Sequence, residues 1–366
     1  MVINLNEKFR KAIFMNTENP GDFTQQFSPG IPGMPPAQQP IPGAGGKNSK
    51  GSGWKILWGI ITAISVMANG LFFLILIGMA FFIAAGSERK VSEEIIKEGP
   101  RTSKIAIVSI NGIIDDRQVK DFYWQMKTAR ADSTVKGLIV RVDSPGGTIS
   151  GSDEIYNEIK KYRSEKGKPV VALMKGVAAS GGYYSSVACE EIMAEPTTIT
   201  GSIGVISAYL VVKQLLEDKL GIQPVIVKAG AKKDWPSSFQ PPSDEQLQYL
   251  QTRLIDPAYQ RFVEVVTDGR KELTAEDVNR LADGSIYWAQ DALKEGLIDD
   301  IGYQDDAIEK VKSLAGIEKA QVVEYRRVVS LSEILSAETG ASLKLDRRTL
   351  YELSMPQVLY LWPGPQ

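Results

Sequence analysis

Between Ile56 and Ala85 the chain runs for thirty residues without one charged side chain, and Ile, Leu, Phe, Met and Ala dominate the run. About 20 apolar residues suffice to span the hydrocarbon core of a bilayer. Residues 56–85 are therefore expected to form a single transmembrane helix, and they divide the polypeptide into parts that cannot share one core. Lys47, Lys50 and Lys55 precede the run, whereas Glu88, Arg89, Lys90, Glu93 and Glu94 follow it with mixed sign. The positive-inside rule then puts the N-terminus in the cytoplasm and the bulk of the chain outside, in the cell membrane by a single pass. Ala84-Ala85-Gly86 would suit a signal peptidase, but the long segment before it and the length of the apolar run favour a retained anchor.

The flanks differ in kind. Residues 1–55 carry Pro29, Pro32, Pro35, Pro36, Pro40 and Pro42 among glycine and glutamine. Such a stretch cannot bury enough apolar surface to offset its ordering entropy, so a disordered tail is expected. After a polar stalk over 86–103, hydrophobic runs alternate with helical patterns. Ile105–Ile110, Gly137–Val142, Pro169–Met174 and Gln223–Val227 read as strands. Ser150 is placed to cap a helix with Ile155, Ile159 and Tyr162 on one face. Ser243-Asp244-Glu245-Gln246 has the capping-box spacing and opens a helix bearing Leu247, Leu250 and Leu254, which Pro257 should kink or split. This alternation predicts one α/β domain with a mostly parallel sheet over 104–328. The last segment, 329–366, ends in Val358-Leu359-Tyr360-Leu361-Trp362. It is too apolar to hang free and is expected to pack on a neighbouring subunit.

The chemistry is narrowed by an absence: the chain has no histidine. Ser180 lies in Gly176-Val-Ala-Ala-Ser-Gly-Gly-Tyr-Tyr184, where a strand runs through small residues into a helix and lifts a hydroxyl out at a sharp bend. If that hydroxyl is a nucleophile, its base is not an imidazole, and lysine is the best-attested substitute. Asp143-Ser-Pro-Gly-Gly147 follows an earlier strand and leaves backbone N–H groups open at its C-terminal end. That is the side on which open α/β sheets place their sites, and such donors can hold an oxyanion. The single cysteine, Cys189, cannot form an internal disulfide and reads as a buried small side chain. Without histidine no zinc site is implied, nor any metal or organic cofactor. The net charge of −2 gives no sign of a nucleic-acid partner.

Taken together, Asp143-Ser-Pro-Gly-Gly147, Gly176-Val-Ala-Ala-Ser-Gly-Gly-Tyr183, Thr200-Gly-Ser-Ile-Gly-Val205 and Ala282-Asp-Gly284 resemble the signal peptide peptidase A family in its short, single-domain form. The likeness covers about residues 104–305 and the membrane anchor; the Pro/Gly-rich head departs from the family pattern. The resemblance implies a Clp-protease or crotonase-like fold and a Ser–Lys dyad peptidase. By it Ser180 is the nucleophile, Gly147 and Gly181 line the oxyanion hole, and Ser202 hydrogen-bonds the base. The family's Ser/Ala-Gly-x-x-Lys-Asp stretch selects Lys233 from Lys228-Ala-Gly-Ala-Lys-Lys-Asp234. Lys232 beside it is the alternative, and Lys175 reads as a surface residue at a strand end. A lysine base must be kept neutral near pH 7 although free lysine titrates near ~10.4, which requires roughly 4 kcal/mol of bias against its ammonium form.

The expected function is membrane-anchored serine endopeptidase action on remnant signal peptides, near the bilayer in which those fragments sit. The alternatives are a related membrane-bound Ser–Lys protease with another protein substrate, acyl-CoA chemistry on a crotonase fold, and an inactive membrane scaffold. The resemblance also implies a homo-oligomeric ring or dome, because one short-form subunit encloses too little space, with a residue of one subunit near the site of another.

Overall fold

In the computed structural model, residues 52–86, 91–328 and 357–364 are described. Most of the expected N-terminal tail and of the segment before residue 357 lies outside them. Contacts divide the chain into two units, 1–73 and 74–366. The first contains most of the helix α1, Ser52–Gly86, which begins inside the expected tail. Its apolar stretch Gly53–Ala80 has a mean hydropathy of 2.4 and none of it is buried in protein, so it is long and apolar enough to cross a membrane.

The second unit is an α/β domain. It opens with β1 (Val91–Lys97), β2 (Lys104–Asn111), α2 (Asp116–Ala131), β3 (Val135–Ser144), β4 (Gly146–Thr148), α3 (Ile149–Lys166) and β5 (Val170–Ala179). Next come α4 (Gly181–Ser186), β6 (Glu191–Ala194), β7 (Ile199–Gly201) and β8 (Ile206–Ala208). Then follow α5 (Asp244–Leu250), α6 (Asp256–Gly269), α7 (Ala275–Leu281), β9 (Ile286–Trp288), α8 (Ala289–Lys294), β10 (Asp300–Ile301), α9 (Gln304–Ala315), β11 (Gln321–Arg327) and β12 (Gln357–Leu361). The main sheet runs β1-β11-β2-β3-β5-β6-β10, with β7 beside the far end of β5 and β9 beside β7. Only the β1–β11 and β7–β9 pairs are antiparallel. The fold is thus the mostly parallel α/β sheet that the alternation predicts.

Both faces of that sheet are covered, which explains why its strands are unbroken apolar runs. Ala106, Val108 and Ile110 of β2 point into a core with Phe122 and Met126 of α2 and Ile155, Ile159 and Tyr162 of α3. Their alternates Ile105 and Ile107 face Ala307, Ile308 and Val311 of α9. Cys189 is buried in the first core, as expected, and burial pushes its thiol up to about 12.

Several local expectations change. The cap of α3 is Thr148, whose hydroxyl accepts from the Gly151 N–H, two residues before Ser150. The Ser243 capping box forms, and a π-turn over Gln251–Ile255 splits the helix just ahead of Pro257. Part of the expected stalk is β1, paired with β11. Gln223–Val227 is not a strand: it pairs with nothing among the described residues, and Val225 and Val227 are 86% and 94% exposed. Finally, the C-terminal strand β12 pairs antiparallel with β4 and β8 of its own chain to make a second, three-stranded sheet. This part of the tail therefore pairs with strands of its own chain.

Candidate active site

The sheet brings Ser180 and Ser202 side by side. Ala179 at the end of β5 is in register with Gly201 at the end of β7, and the two strands are parallel. Each serine is therefore the next residue beyond paired neighbours, about one strand spacing from the other. The Ser180 N–H donates to the Gly201 carbonyl at 2.8 Å, which ties the two chain ends together. Both side chains are buried, Ser180 at 1% exposure.

These two serines share a further property. Among the described residues they alone, apart from glycine, have positive φ: 53° for Ser180 and 50° for Ser202. A Cβ makes this region costly by about 1–3 kcal/mol per residue, so the surrounding structure must over-determine it. It does so with backbone bonds. The Ser180 carbonyl accepts from the Tyr184 N–H at 2.8 Å, and the Ser202 N–H donates to the Ser285 carbonyl at 2.7 Å. The Ala282-Asp-Gly284 motif explains that second contact. The Asp283 carboxylate accepts from the Ser285 N–H, and hydrogen bonding from the Ser285 hydroxyl and then its N–H holds it below the usual carboxylate range. The Gly284 N–H meanwhile reaches the Ile203 carbonyl. The motif is a clamp on the Ser202 loop.

The approach of β5 to Ser180 is irregular. Its register against β3 slips between Val142 and Ser144. Gly176 takes a φ of 47° there, with the Asp143 carboxylate 3.0 Å from where a Cβ would be. Asp143 also accepts from the Val177 N–H at 3.3 Å. The glycines of the two turns then meet. A Cβ on Gly146 would lie 2.7 Å from the Gly181 nitrogen, and one on Gly181 would lie 2.3 Å from the Ser152 Oγ. Gly147 is equally pressed, on the Ile114 carbonyl. Three backbone segments, at Ile114, Gly146-Gly147 and Gly181, thus pack tightly together next to Ser180.

The lysines are distributed differently. Lys233 sits in an exposed turn over 231–234, and its amine makes no hydrogen bond or ion pair among the described residues. In the single chain it is not bonded to Ser180 or Ser202. Lys232 is already engaged: its ammonium lies 4.7 Å from the Trp235 ring, 4.5 Å from the Tyr249 ring and 3.4 Å from Glu245. Lys228 pairs with Asp234. Lys175 pairs with Glu195 at 3.3 Å, consistent with a strand-end surface residue. Of the amines in the 228–234 stretch, Lys233 is the uncommitted one.

Sequence reasoning missed a wall of aromatic residues beside the glycines. Tyr360 of β12 is fully buried, stacked on Tyr184 at 5.1 Å and tilted against Phe262 at 4.7 Å, with its hydroxyl donating to the Ala258 carbonyl. The Tyr184 hydroxyl donates to Asp153, which also meets Arg261 at 3.2 Å; burial and that carboxylate push the Tyr184 phenol well up. The only sequence signal was the apolar C-terminal run itself.

Comparison with known proteins follows this geometry. The family model for peptidase family S49 matches residues 162–318, and that for Clp protease matches residues 91–198. A signal peptide peptidase SppA of Enterococcus faecium is 39% identical over 248 residues, 65% of this chain and 71% of its own. A protease of Synechocystis is 41% identical, over 60% of this chain and 77% of its own. Protease 4 of Salmonella typhi is 34% identical over 59% of this chain, which matches only 34% of that longer protein.

Proposed function

The chain belongs to peptidase family S49, the signal peptide peptidase A family, and is a serine peptidase; from that premise we propose that it is a membrane-anchored endopeptidase working through a Ser180–Lys233 dyad on remnant signal peptides. The observation that carries the reading is the pair of left-handed serines at adjacent strand ends, Ser180 and Ser202, beside the packed glycines. Backbone strain of this kind is kept where a side chain must be aimed.

In this mechanism the Ser180 Oγ attacks the scissile carbonyl carbon while its proton passes to a neutral lysine amine. The Gly147 and Gly181 N–H groups receive the oxyanion. The lysine returns the proton to the departing amine, which leaves an acyl-enzyme on Ser180. Water, deprotonated by the same lysine, then releases the acid. Ser202 accepts an N–H from that amine and aims it. The helix α1 holds this unit at the bilayer, where hydrophobic fragments concentrate.

Lys233 reaches a serine most simply across a subunit boundary. The segment over 210–227 that leads to it, an arm of the domain, displays Leu210, Leu215, Leu220, Ile222, Val225 and Val227, each more than half exposed. Large exposed apolar areas on a soluble domain mark interaction surfaces. A homo-oligomer that covers this arm would place Lys233 of one subunit by Ser180 of the next and would strip water from its amine.

The test is turnover of a fluorogenic peptide by detergent-solubilised protein. Ser180→Ala and Lys233→Ala should each lose at least about 10³-fold, and wild-type turnover should rise with pH as the base loses its proton. Mixing and reassembling the two inactive variants should recover part of the activity, since some interfaces then pair an intact Ser180 with an intact Lys233. Full turnover by either variant alone removes the dyad.

A further inference from the structure

The strand that delivers Ser180 carries a bulge just before it. Against β3, Val142 pairs with Met174 and Ser144 with Ala178, so one residue of β3, Asp143, faces three of β5, Lys175-Gly176-Val177. Extra residues of this kind bend a strand and re-aim the side chains beyond them, and they gather beside active sites. Here the bulge is also where β5 changes neighbours. Val171–Met174 pair with Glu191–Ala194 of β6, whereas Val177–Ala179 pair with Ile199–Gly201 of β7. Ser180 follows the second set directly, so its aim depends on how the bulge is held.

On one side the supports are Glu195 and Thr198. The Met174 carbonyl accepts from the Glu195 N–H at 2.9 Å and from the Thr198 hydroxyl at 3.0 Å, and Lys175 pairs with Glu195 at 3.3 Å. On the β3 side the support is the Asp143 carboxylate. It accepts from the Val177 N–H at 3.3 Å, and its Oδ1 lies 3.0 Å from the ideal Cβ position of Gly176. Glycine at 176 therefore serves two needs: its φ of 47° is costly for any residue with a Cβ, and a side chain there would press on the atom that holds Val177. Asp143 is itself anchored, because its carbonyl accepts from the Gly112 N–H at 2.8 Å. The next residue, Ser144, presses its carbonyl on Gly182, 2.7 Å from the ideal Cβ position there. The end of β3 thus grips the chain three residues before Ser180 and two residues after it.

We propose that Asp143 is a positioning residue of this peptidase: by accepting from the Val177 N–H it holds the β5 bulge in the form that aims the Ser180 Oγ at the scissile carbonyl. The proposal rests on the reading of Ser180 as the nucleophile and deepens it. Asp143 touches neither the substrate nor the reacting atoms; it acts through the backbone of β5. The bond asks for an acceptor at one place and not for a charge, so asparagine serves as well as aspartate. Glutamate does not, because one more methylene carries the carboxylate past Val177. A misplacement of about 1 Å at a reacting group costs about 10²-fold in rate, and partial release of the bulge should cost a sizeable part of that.

The test is made on the full chain in detergent, with a fluorogenic peptide for turnover and a fluorophosphonate for the reactivity of Ser180, the labelled residue being located by mass. In Asp143→Ala and Asp143→Glu, kcat should fall at least about tenfold while KM stays within about twofold, the split expected when orientation is lost and binding is kept. The labelling rate at Ser180 should fall in parallel. Asp143→Asn should stay within about threefold of wild type in both readouts, since it keeps the acceptor. Wild-type kcat in Asp143→Ala overturns the proposal, as does a rise in KM alone, which would make Asp143 a substrate contact. An Asp143→Asn protein as slow as Asp143→Glu also overturns it, and this pair decides alone should Asp143→Ala fail to assemble. Ser180→Ala separates the two levels: turnover without Ser180, or a wild-type protein that is not labelled there, defeats the nucleophile itself. A labelled wild type matched in rate by Asp143→Ala defeats only the role of Asp143.

Discussion

Replacing Gly181 with alanine adds one methyl at a crowded point of the site. The new Cβ would lie 2.3 Å from the Ser152 Oγ, 3.1 Å from the Gly146 Cα and 3.1 Å from the Tyr360 oxygen. The first distance demands movement, whereas the other two demand a few tenths of an ångström. Ser152 has little freedom to give way: it is fully buried and its hydroxyl donates to the Thr148 carbonyl at 2.9 Å. Overpacking of this kind costs about 1–3 kcal/mol, which for a domain of this size lowers Tm by roughly 2–4 °C per kcal/mol. Displacing the Gly181 N–H should separately cost about 10²–10³ in kcat, the usual loss for an oxyanion donor. The double variant G181A/S152A removes the clashing oxygen at the expense of one hydrogen bond, about 0.5–1.5 kcal/mol. Its Tm should exceed that of G181A while its kcat stays low. Thermal denaturation and peptide turnover on the two singles and the double complete the cycle. A G181A protein that melts like wild type, or a double variant no more stable than the sum of its singles, would refute the packing argument.

Two further outcomes are expected. The Asp132 carboxylate is disfavoured by burial, but the Thr134 hydroxyl and amide and the Lys104 ammonium hold it below its ordinary value of 3.8. A depressed carboxylate contributes stability above its unfolded pKa that is lost as pH falls through the folded one. Asp132→Asn should therefore be destabilising at neutral pH, by urea denaturation, and the difference from wild type should shrink below pH 3.8; a difference that grows on acidification contradicts this. On the arm, Val227→Glu changes a residue that is 94% exposed, so the single domain should keep its Tm. Light scattering in detergent should nevertheless show smaller particles than wild type, and unchanged size would argue that the arm is not an interface.

What the sequence reveals follows the range of the interactions. The turns at Gly146-Gly147 and Ser180-Gly181 are legible because small residues encode their own backbone path, and the strands of the parallel sheet are legible because burial on both faces makes them continuous apolar runs. The capping box at Ser243 and the break before Pro257 are local for the same reason. Pairing is another matter. Gln223–Val227 has strand composition but no strand partner among the described residues, whereas β12 has partners far back in the sequence at Gly146–Thr148 and Ile206–Ala208. An apolar run announces that it will be covered and is silent on what covers it. The cap of α3 moved from Ser150 to Thr148 because β4 ends there, a fact set by its pairing with β12. For Lys232, the contacts that engage its ammonium are with an aromatic pair, Trp235 and Tyr249, that composition does not arrange.

The clamp on the Ser202 loop also orders events in time. The carbonyl that fixes Ser202 belongs to Ser285 and the neighbouring N–H to Gly284, both translated long after the Ser180 turn. A nascent chain carries Ser180, the proposed nucleophile, well before it owns the residues that fix Ser202 beside it. On the proposed mechanism, competence to cut would be deferred until the residues around 284–285 have left the ribosome and folded back on the Ser202 loop.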